Sequence, residues 1–310
     1  MPTLEVLKRK VETVEKLESV VRTMKTLAAV NIRQYDRAAT ALADYNRTVE
    51  HALEILLKTQ TERPPVGKPA AIRRLGAIVY GSDQGMCGQF NIRIAGHAAD
   101  WMKREEQKAK DETRDTRGRS RRTSHAELRP LILVVGQRGR AALERFGQPV
   151  EESVSVPGSV AGITPLVQQL LAVIEQWRSR REIEHLVLFY HQYARSSSAP
   201  DTLRLLPLDP LWLRGLRSRK WPTRALPTFA MDPQRLFSSL VRQYLFVSLY
   251  RTCAESLAAE NASRLRSMQA AEKNIHDRLE QLNSLYHRQR QSAITAELLD
   301  VVAGSEALAD

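Results

Sequence analysis

The stretch with most chemical promise is GSDQGMCGQFN, residues 81–91. It follows an apolar run, Leu75–Tyr80, that reads as a buried strand. In an open α/β sheet, ligands settle at the turn after such a strand. Gly81, Gly85 and Gly88 would let backbone amides approach a phosphate. Asp83 would act as a metal ligand or a base, or would cap the following helix. Ser82 and Cys87 complete the turn, whose other reading is purely structural. The chain has neither GxGxxG nor GxxxxGK[ST]. His185 and His191 would share one face of a strand, with no second pair to complete a site. Cys87 and Cys253 lack CxxC spacing and read as small packing residues. No Ser/His/Asp or Cys/His arrangement emerges. The expectation is a chain with no catalytic residue, no metal, no cofactor and no self-contained active site.

The elements around this turn are dominated by two long helices. Residues 234–303 contain no Gly or Pro, enough for a helix of roughly 105 Å. Small and apolar residues recur there at alternating spacings of three and four: Ala254, Leu257, Asn261, Leu265, Met268, Ala271, Ile275, Leu279, Leu282, Tyr286, Gln289, Ala293. That is a coiled-coil seam with two polar breaks, and a seam needs a partner. Residues 3–63 also lack Gly and Pro and would span roughly 90 Å. Their seam reads Leu7, Val11, Val14, Leu17, Val21, Met24, Ala28, with the three-residue step from Val14 to Leu17 breaking the strict heptad. The first helix runs into the middle of the chain and the second runs out of it, so they can pair antiparallel.

Between them, residues 64–233 alternate strands and helices. Strands are expected at Leu75–Tyr80, Leu131–Val135, 150–156 and 186–193, with 203–206 pairing back across a turn at 196–198. Helices are expected from the 81–91 turn through Met102, over 139–146, and over 164–177 with Thr164 as its cap. Such alternation argues a mostly parallel, Rossmann-like α/β sheet. Residues 105–129 are charged and nearly free of large apolar side chains, and read as a solvated, poorly ordered insertion. The expected domains are therefore 1–63, 64–233 and 234–310: an α/β body carrying a long two-helix coiled coil.

Composition narrows the function. With 43% hydrophobic and 26% charged residues, the chain has an ordinary soluble balance, and no apolar run approaches the ~18 residues of a membrane span. The N-terminus shows no signal-peptide pattern, which points to a cytosolic or peripheral protein. The net charge of +12 suits an acidic partner, nucleic acid included. Ten of the Lys and Arg fall within 103–129, a segment without aromatic residues after Trp101, which argues against a nucleic-acid reader. A coiled-coil adaptor or nucleic-acid-binding protein is the alternative reading. At the end of the second helix charge thins out: from Gln291 to Ala303 only Glu297 and Asp300 are charged, leaving Ile294, Leu298, Leu299, Val301 and Val302 with little polar cover. Such a tip would sit in an apolar collar supplied by partners.

Four stretches resemble the gamma subunit of F-type ATP synthase, the central rotor shaft. They are Lys8-Arg9-Lys10 with Met24-Lys25 and Ala28-Ala29; the turn Ser82-Asp83-Gln84-Gly85-Met86-Cys87-Gly88 with Asn91; Glu255-Ser256 with Glu260-Asn261-Ala262-Ser263-Arg264; and Tyr286, Arg290-Gln291, Ile294-Thr295, Glu297, Val301-Val302 and Gly304. Asn31 stands where the family usually has Lys, and the long 105–129 insertion points to a divergent or alternative branch. The resemblance implies a non-catalytic subunit that turns inside a hexamer of alpha and beta subunits. With an epsilon subunit it would sit on a ring of c subunits, peripheral to the cytoplasmic face of a bacterial inner membrane. It would couple ion flow to ATP synthesis or hydrolysis. It further implies that Arg290, Gln291, Thr295 and Glu297 contact the hexamer, close to Met24 and Lys25, where the longer C-terminal helix overshoots its partner.

Overall fold

In the computed structural model of the protein, residues 3–59, 74–115, 130–181, 183–194, 197–221 and 227–306 are described. Their elements are α1 (Leu4–Thr59), β1 (Leu75–Tyr80), α2 (Phe90–Asp115), β2 (Leu131–Val135), α3 (Gln137–Arg145), β3 (Glu152–Val154), α4 (Ile163–Arg181), β4 (His185–Ala194), β5 (Ser197–Leu206), α5 (Pro210–Ser218) and α6 (Pro233–Glu306). The chain divides into two compact units, one of Met1–Val30 with Arg264–Asp310 and one of Asn31–Ser263.

In the first unit, α1 and α6 pair through half-buried seams. On α6 the expected positions turn inward, with Met268 and Leu282 the most buried. On α1 the seam differs from expectation. Leu17 is 52% exposed, while Glu18 is half-buried and Val21 buried. Burial therefore follows Leu7, Val11, Val14, Glu18, Val21, Lys25 and Ala28, an unbroken heptad whose polar members hid it from an apolar count. Lys25 closes the seam with an ion pair to Glu272 at 2.6 Å, and this hydrogen bond lowers the Glu272 carboxyl below its ordinary range.

The second unit holds a five-stranded sheet in the order β3-β2-β1-β4-β5. Four strands are parallel, and β5 returns antiparallel to β4 over its whole length, not only over 203–206. β1 is buried on both faces, which explains its continuous apolar run. One face of the sheet carries α4 and the 31–263 portions of α1 and α6, meeting Ile78, Tyr80, Leu133 and Leu188. The other face carries α2 and α3, meeting Ala77, Val79, Ile132 and Phe189. Asn31 approaches Asn261 at 3.5 Å and Tyr45 bonds Gln243 at 2.9 Å, so α1 and α6 run antiparallel.

Two local expectations are corrected, and one further helix is found. α2 does not stop near Met102: residues 105–115, expected to be unordered, continue it, and the rest of the expected insertion lies outside the described residues. α4 starts at Ile163 behind a 3-10 turn at Val160–Gly162, so Thr164 lies inside it and is no cap. The proline-rich stretch before α6 contains α5, whose Asp209 accepts a hydrogen bond from the Leu211 amide and whose first residue is Pro210.

Candidate functional site

The 81–91 turn lies at the C-terminal end of β1, where an α/β sheet binds ligands. Here that position is filled from within. Asp83 Oδ1 accepts the Gln137 amide at 2.8 Å, and Oδ2 accepts the Val156 amide at 2.7 Å. Gln137 opens α3, whose own N-cap, Gly136, provides no side-chain acceptor. The Ser82 carbonyl takes the next amide, Arg138 N–H, at 2.8 Å. A helix N-terminus attracts anions through such unsatisfied amides. Asp83 supplies the anion, so a phosphate would find these donors occupied. The expectation that Asp83 caps the following helix is corrected in its partner: it caps α3, not α2.

The rest of the turn is held by hydrogen bonds. Asn91 Oδ1 accepts the Ser82 amide at 2.9 Å, and Asn91 Nδ2 donates to Ser82 Oγ at 2.8 Å. Ser82 Oγ donates to the Gln84 carbonyl at 2.9 Å. Cys87 is buried against Phe90 and Ala259, and its carbonyl accepts from Ser263 Oγ at 2.8 Å, tying the turn to α6. The glycines answer to packing. A Cβ on Gly81 would lie 2.6 Å from the Gly139 Cα, so this pair lets α3 approach β1 closely. Gly88 has φ of +58°, a left-handed conformation that favours glycine. Gly85 has open space around it, with only an Arg138 side-chain nitrogen at 4.0 Å.

Other candidates fare similarly. His185 and His191 are both buried in β4. His191 stacks on Phe90 at 4.1 Å, and burial pushes its pKa down to about 3, so it stays neutral. Cys253 is buried and its thiol is pushed well above its ordinary range by desolvation. Among the described residues, no group of three or more His, Cys, Asp and Glu could hold a metal. A groove of about 290 Å³ between α4 and the start of α6 has an apolar floor and an Arg242–Glu175 pair at 3.4 Å, without convergent acid, base or nucleophile.

The polar positions near the end of α6 are exposed. Arg290, Gln291 and Glu297 face solvent, and Thr295 Oγ bonds back to the Gln291 carbonyl at 2.9 Å. The structure separates them from Met24 and Lys25. Lys25 is fixed opposite Glu272, and Arg290 lies 18 residues, roughly 27 Å, farther along α6. Counting from that pair, Leu4 at the start of α1 falls opposite Ala293. α6 continues to Glu306, a further roughly 20 Å without α1 beside it. Its side chains there are open: Ile294 47%, Leu298 61%, Leu299 63%, Val301 69% and Val302 52% exposed.

Comparisons with known proteins agree with this anatomy. The family model described as ATP synthase matches residues 3–308. An ATP synthase gamma chain of Acaryochloris marina is 27% identical over 338 residues, covering 99% of this chain and 100% of the relative. One of Chromobacterium violaceum is 26% identical over 302 residues, covering 96% and 97%. A chain of the Euglena gracilis mitochondrial ATP synthase, solved as OSCP/F1/c-ring, shares the fold with a TM-score of 0.61 at 15% identity, covering 98% of this chain and 94% of that one. A chain of the rotor of the same enzyme gives 0.58 at 14%, covering 94% and 98%. With a family match that spans both long helices and the sheet between them, the chain belongs to the ATP synthase gamma-chain family.

Proposed function

We propose that this chain is the central shaft of an F-type ATP synthase and has no active site of its own. The observation that carries the reading is the end of α6, a lone helix with Leu298, Leu299 and Val301 exposed. In isolation such a surface invites aggregation, so it calls for a collar. A hexamer of alpha and beta subunits supplies it. Arg290, Gln291, Thr295 and Glu297 make the polar contacts of that bearing, and Met24 and Lys25 form a second contact level farther from the end of α6. An epsilon subunit and the c-ring engage the α/β unit. Ion flow turns the ring with the shaft, and the asymmetric shaft drives the catalytic subunits through different conformations. The site lies on the cytoplasmic face of the membrane, held there by the complex. In keeping with a peripheral role, no helix among the described residues is long and apolar enough to cross a membrane.

The test is co-expression with alpha and beta subunits. The chain should co-purify with the hexamer, and Arg290→Ala with Gln291→Ala should weaken that co-purification, or ATP-driven ion pumping once the whole complex is assembled, while leaving the isolated chain's helicity unchanged. Failure to co-purify, or ATP turnover by the chain alone, refutes the reading.

A further inference from the structure

The edge strand β5 is tied to helices on both faces of the sheet through two adjacent residues, Asp201 and Thr202. Successive side chains of a strand point to opposite faces. Thr202 meets α2, where its Oγ1 lies 2.8 Å from His97 Nε2. Asp201 stands opposite Tyr190 in the β4–β5 register, and Tyr190 Oη donates to Asp201 Oδ2 at 3.2 Å. The other oxygen, Asp201 Oδ1, accepts the Thr202 amide at 2.7 Å. Tyr190 belongs to the apolar cluster to which α6 contributes Ala254, Leu257 and Ala258.

α6 brings a second carboxylate to the same place. Glu255 follows Ala254, is half-buried, and its charge acts on Tyr190 as Asp201 does. The cation beside it is Arg251, one turn earlier and exposed, whose Nε lies a long 3.8 Å from Glu255 Oε1. Glu255 Oε2 is buried with no hydrogen-bond partner among the described residues. When ionised, Glu255 therefore leaves one buried oxygen unsatisfied and faces a like charge across the joint. A protonated Glu255 escapes the repulsion and most of the desolvation cost. Burial accordingly raises its carboxyl pKa, Arg251 offsets part of the rise, and Asp201 adds to it.

We propose that this is a proton-sensitive joint: a proton on Glu255 holds the β4–β5 edge against α6, and ionisation of both Glu255 and Asp201 loosens it. The consequence for rotation rests on the shaft reading, in which α6 carries torque between the α/β unit and the collar. Acidification then stiffens that connection and rising pH softens it. A carboxyl with a raised folded pKa stabilises its contacts below the unfolded value, and that stabilisation is lost as pH rises through the folded value. His97, on the other face of β5, acts in the opposite sense. Burial and then Arg104 lower its pKa, with Asp201 and Asp100 opposing, so its contribution is lost as pH falls. The two faces are therefore separable by sign.

The test is hydrogen exchange of the full chain, read on peptides covering β4 and β5 and corrected for the intrinsic pH dependence of exchange. Native chain and Glu255→Gln should agree near pH 4.5, the ordinary carboxyl value. By about pH 8 the native chain should show several-fold less protection there than the variant. Comparing the two chains cancels the effect of His97. Peptides covering β1 and β2 should not differ. Arg251→Gln removes the offsetting cation and should move the midpoint of the loss to higher pH; its side chain is exposed, so circular dichroism should show unchanged helicity. Equal protection of native and Glu255→Gln chains, a difference spread evenly over β1 and β2, or an unmoved or lowered midpoint in Arg251→Gln overturns the proposal. The measurement needs no partner, so its failure is distinct from a failure to co-purify with the hexamer. In the assembled complex, pumping per ATP hydrolysed should fall less with rising pH in Glu255→Gln than in the native enzyme. An equal fall would refute the consequence for rotation.

Discussion

Asp83 uses both carboxylate oxygens inside the protein, one on the first amide of α3 and one on the amide of Val156. Its role is therefore to hold three chain segments together, and Asp83→Ala should lower unfolding free energy by about 1–3 kcal/mol in chemical denaturation. Asp83→Asn, which keeps one acceptor oxygen, should fall between. A native-like midpoint for the alanine variant would remove the cap from the account. Glu255 behaves in the opposite sense. Burial raises its carboxyl pKa, neighbouring Asp201 adds to the rise, and Arg251 only partly offsets it. One of its oxygens is buried without a hydrogen-bond partner. A carboxyl with a raised folded pKa stabilises the fold below its unfolded value near 4.5, and that contribution is lost as pH rises through the folded value. At neutral pH the ionised form is thus held against its surroundings. Glu255→Gln should raise the melting temperature at pH 7, and the gap should close near pH 4. A lower Tm at pH 7 would mean that the Arg251 pair outweighs desolvation.

Where α3 crosses β1, two glycines stand in for side chains. Gly81 and Gly139 approach so closely that a Cβ on either meets the other's Cα at 3.0 Å or less. Gly136 has φ of +105° and faces the Ser82 backbone. These contacts set where the α3 N-terminus meets Asp83. Gly81→Ala should cost about 1–3 kcal/mol, as overpacking against backbone does. Gly85→Ala, in the same turn but in open space, should stay within about 0.5 kcal/mol. Equal effects at the two positions would show that the turn, not the helix–strand contact, needs glycine. On α1 the relevant periodicity is the seven-residue one. Glu18 and Lys25 occupy seam positions because the seam is half-open, and Glu18 reaches Arg22 at 2.9 Å while Lys25 reaches Glu272. A half-buried seam tolerates long charged side chains whose stems pack and whose heads stay wet.

Over the whole chain, the two units divide the work. The α/β unit is built around interior contacts on both faces of its sheet. The paired-helix unit has modest burial of its own and ends in exposed apolar turns. A chain stopped after Ala293 should therefore keep its melting temperature, because the lost turns lie beyond the level at which Leu4 opens α1. In the assembled complex the same truncation should reduce coupling of ATP hydrolysis to ion pumping. Leu282→Ala supplies the contrast, since that side chain is 5% exposed and should cost about 2–5 kcal/mol. If truncation destabilises the isolated chain as much as Leu282→Ala does, the tail belongs to the helix pair and the collar argument fails.

Local periodicity made both long helices and the strands Leu75–Tyr80 and Leu131–Val135 legible from residues alone. Each of these depends on neighbours within a few positions, and that information lies in the order of the chain. The partners of Asp83 lie 54 and 73 residues away, and those of Cys87 and Lys25 lie 176 and 247 away. No spacing rule reaches that far. The match of Lys25 with Glu272, which sets Arg290 well away from Met24, depends on where two helices meet after the chain has reversed through the sheet. Leu17 looked like a seam residue because it is apolar, and Glu18 did not because it is charged. Only the packed pair could decide between them, because in a two-helix seam the inward face is set by the seven-residue repeat and not by the hydrophobicity of any single position.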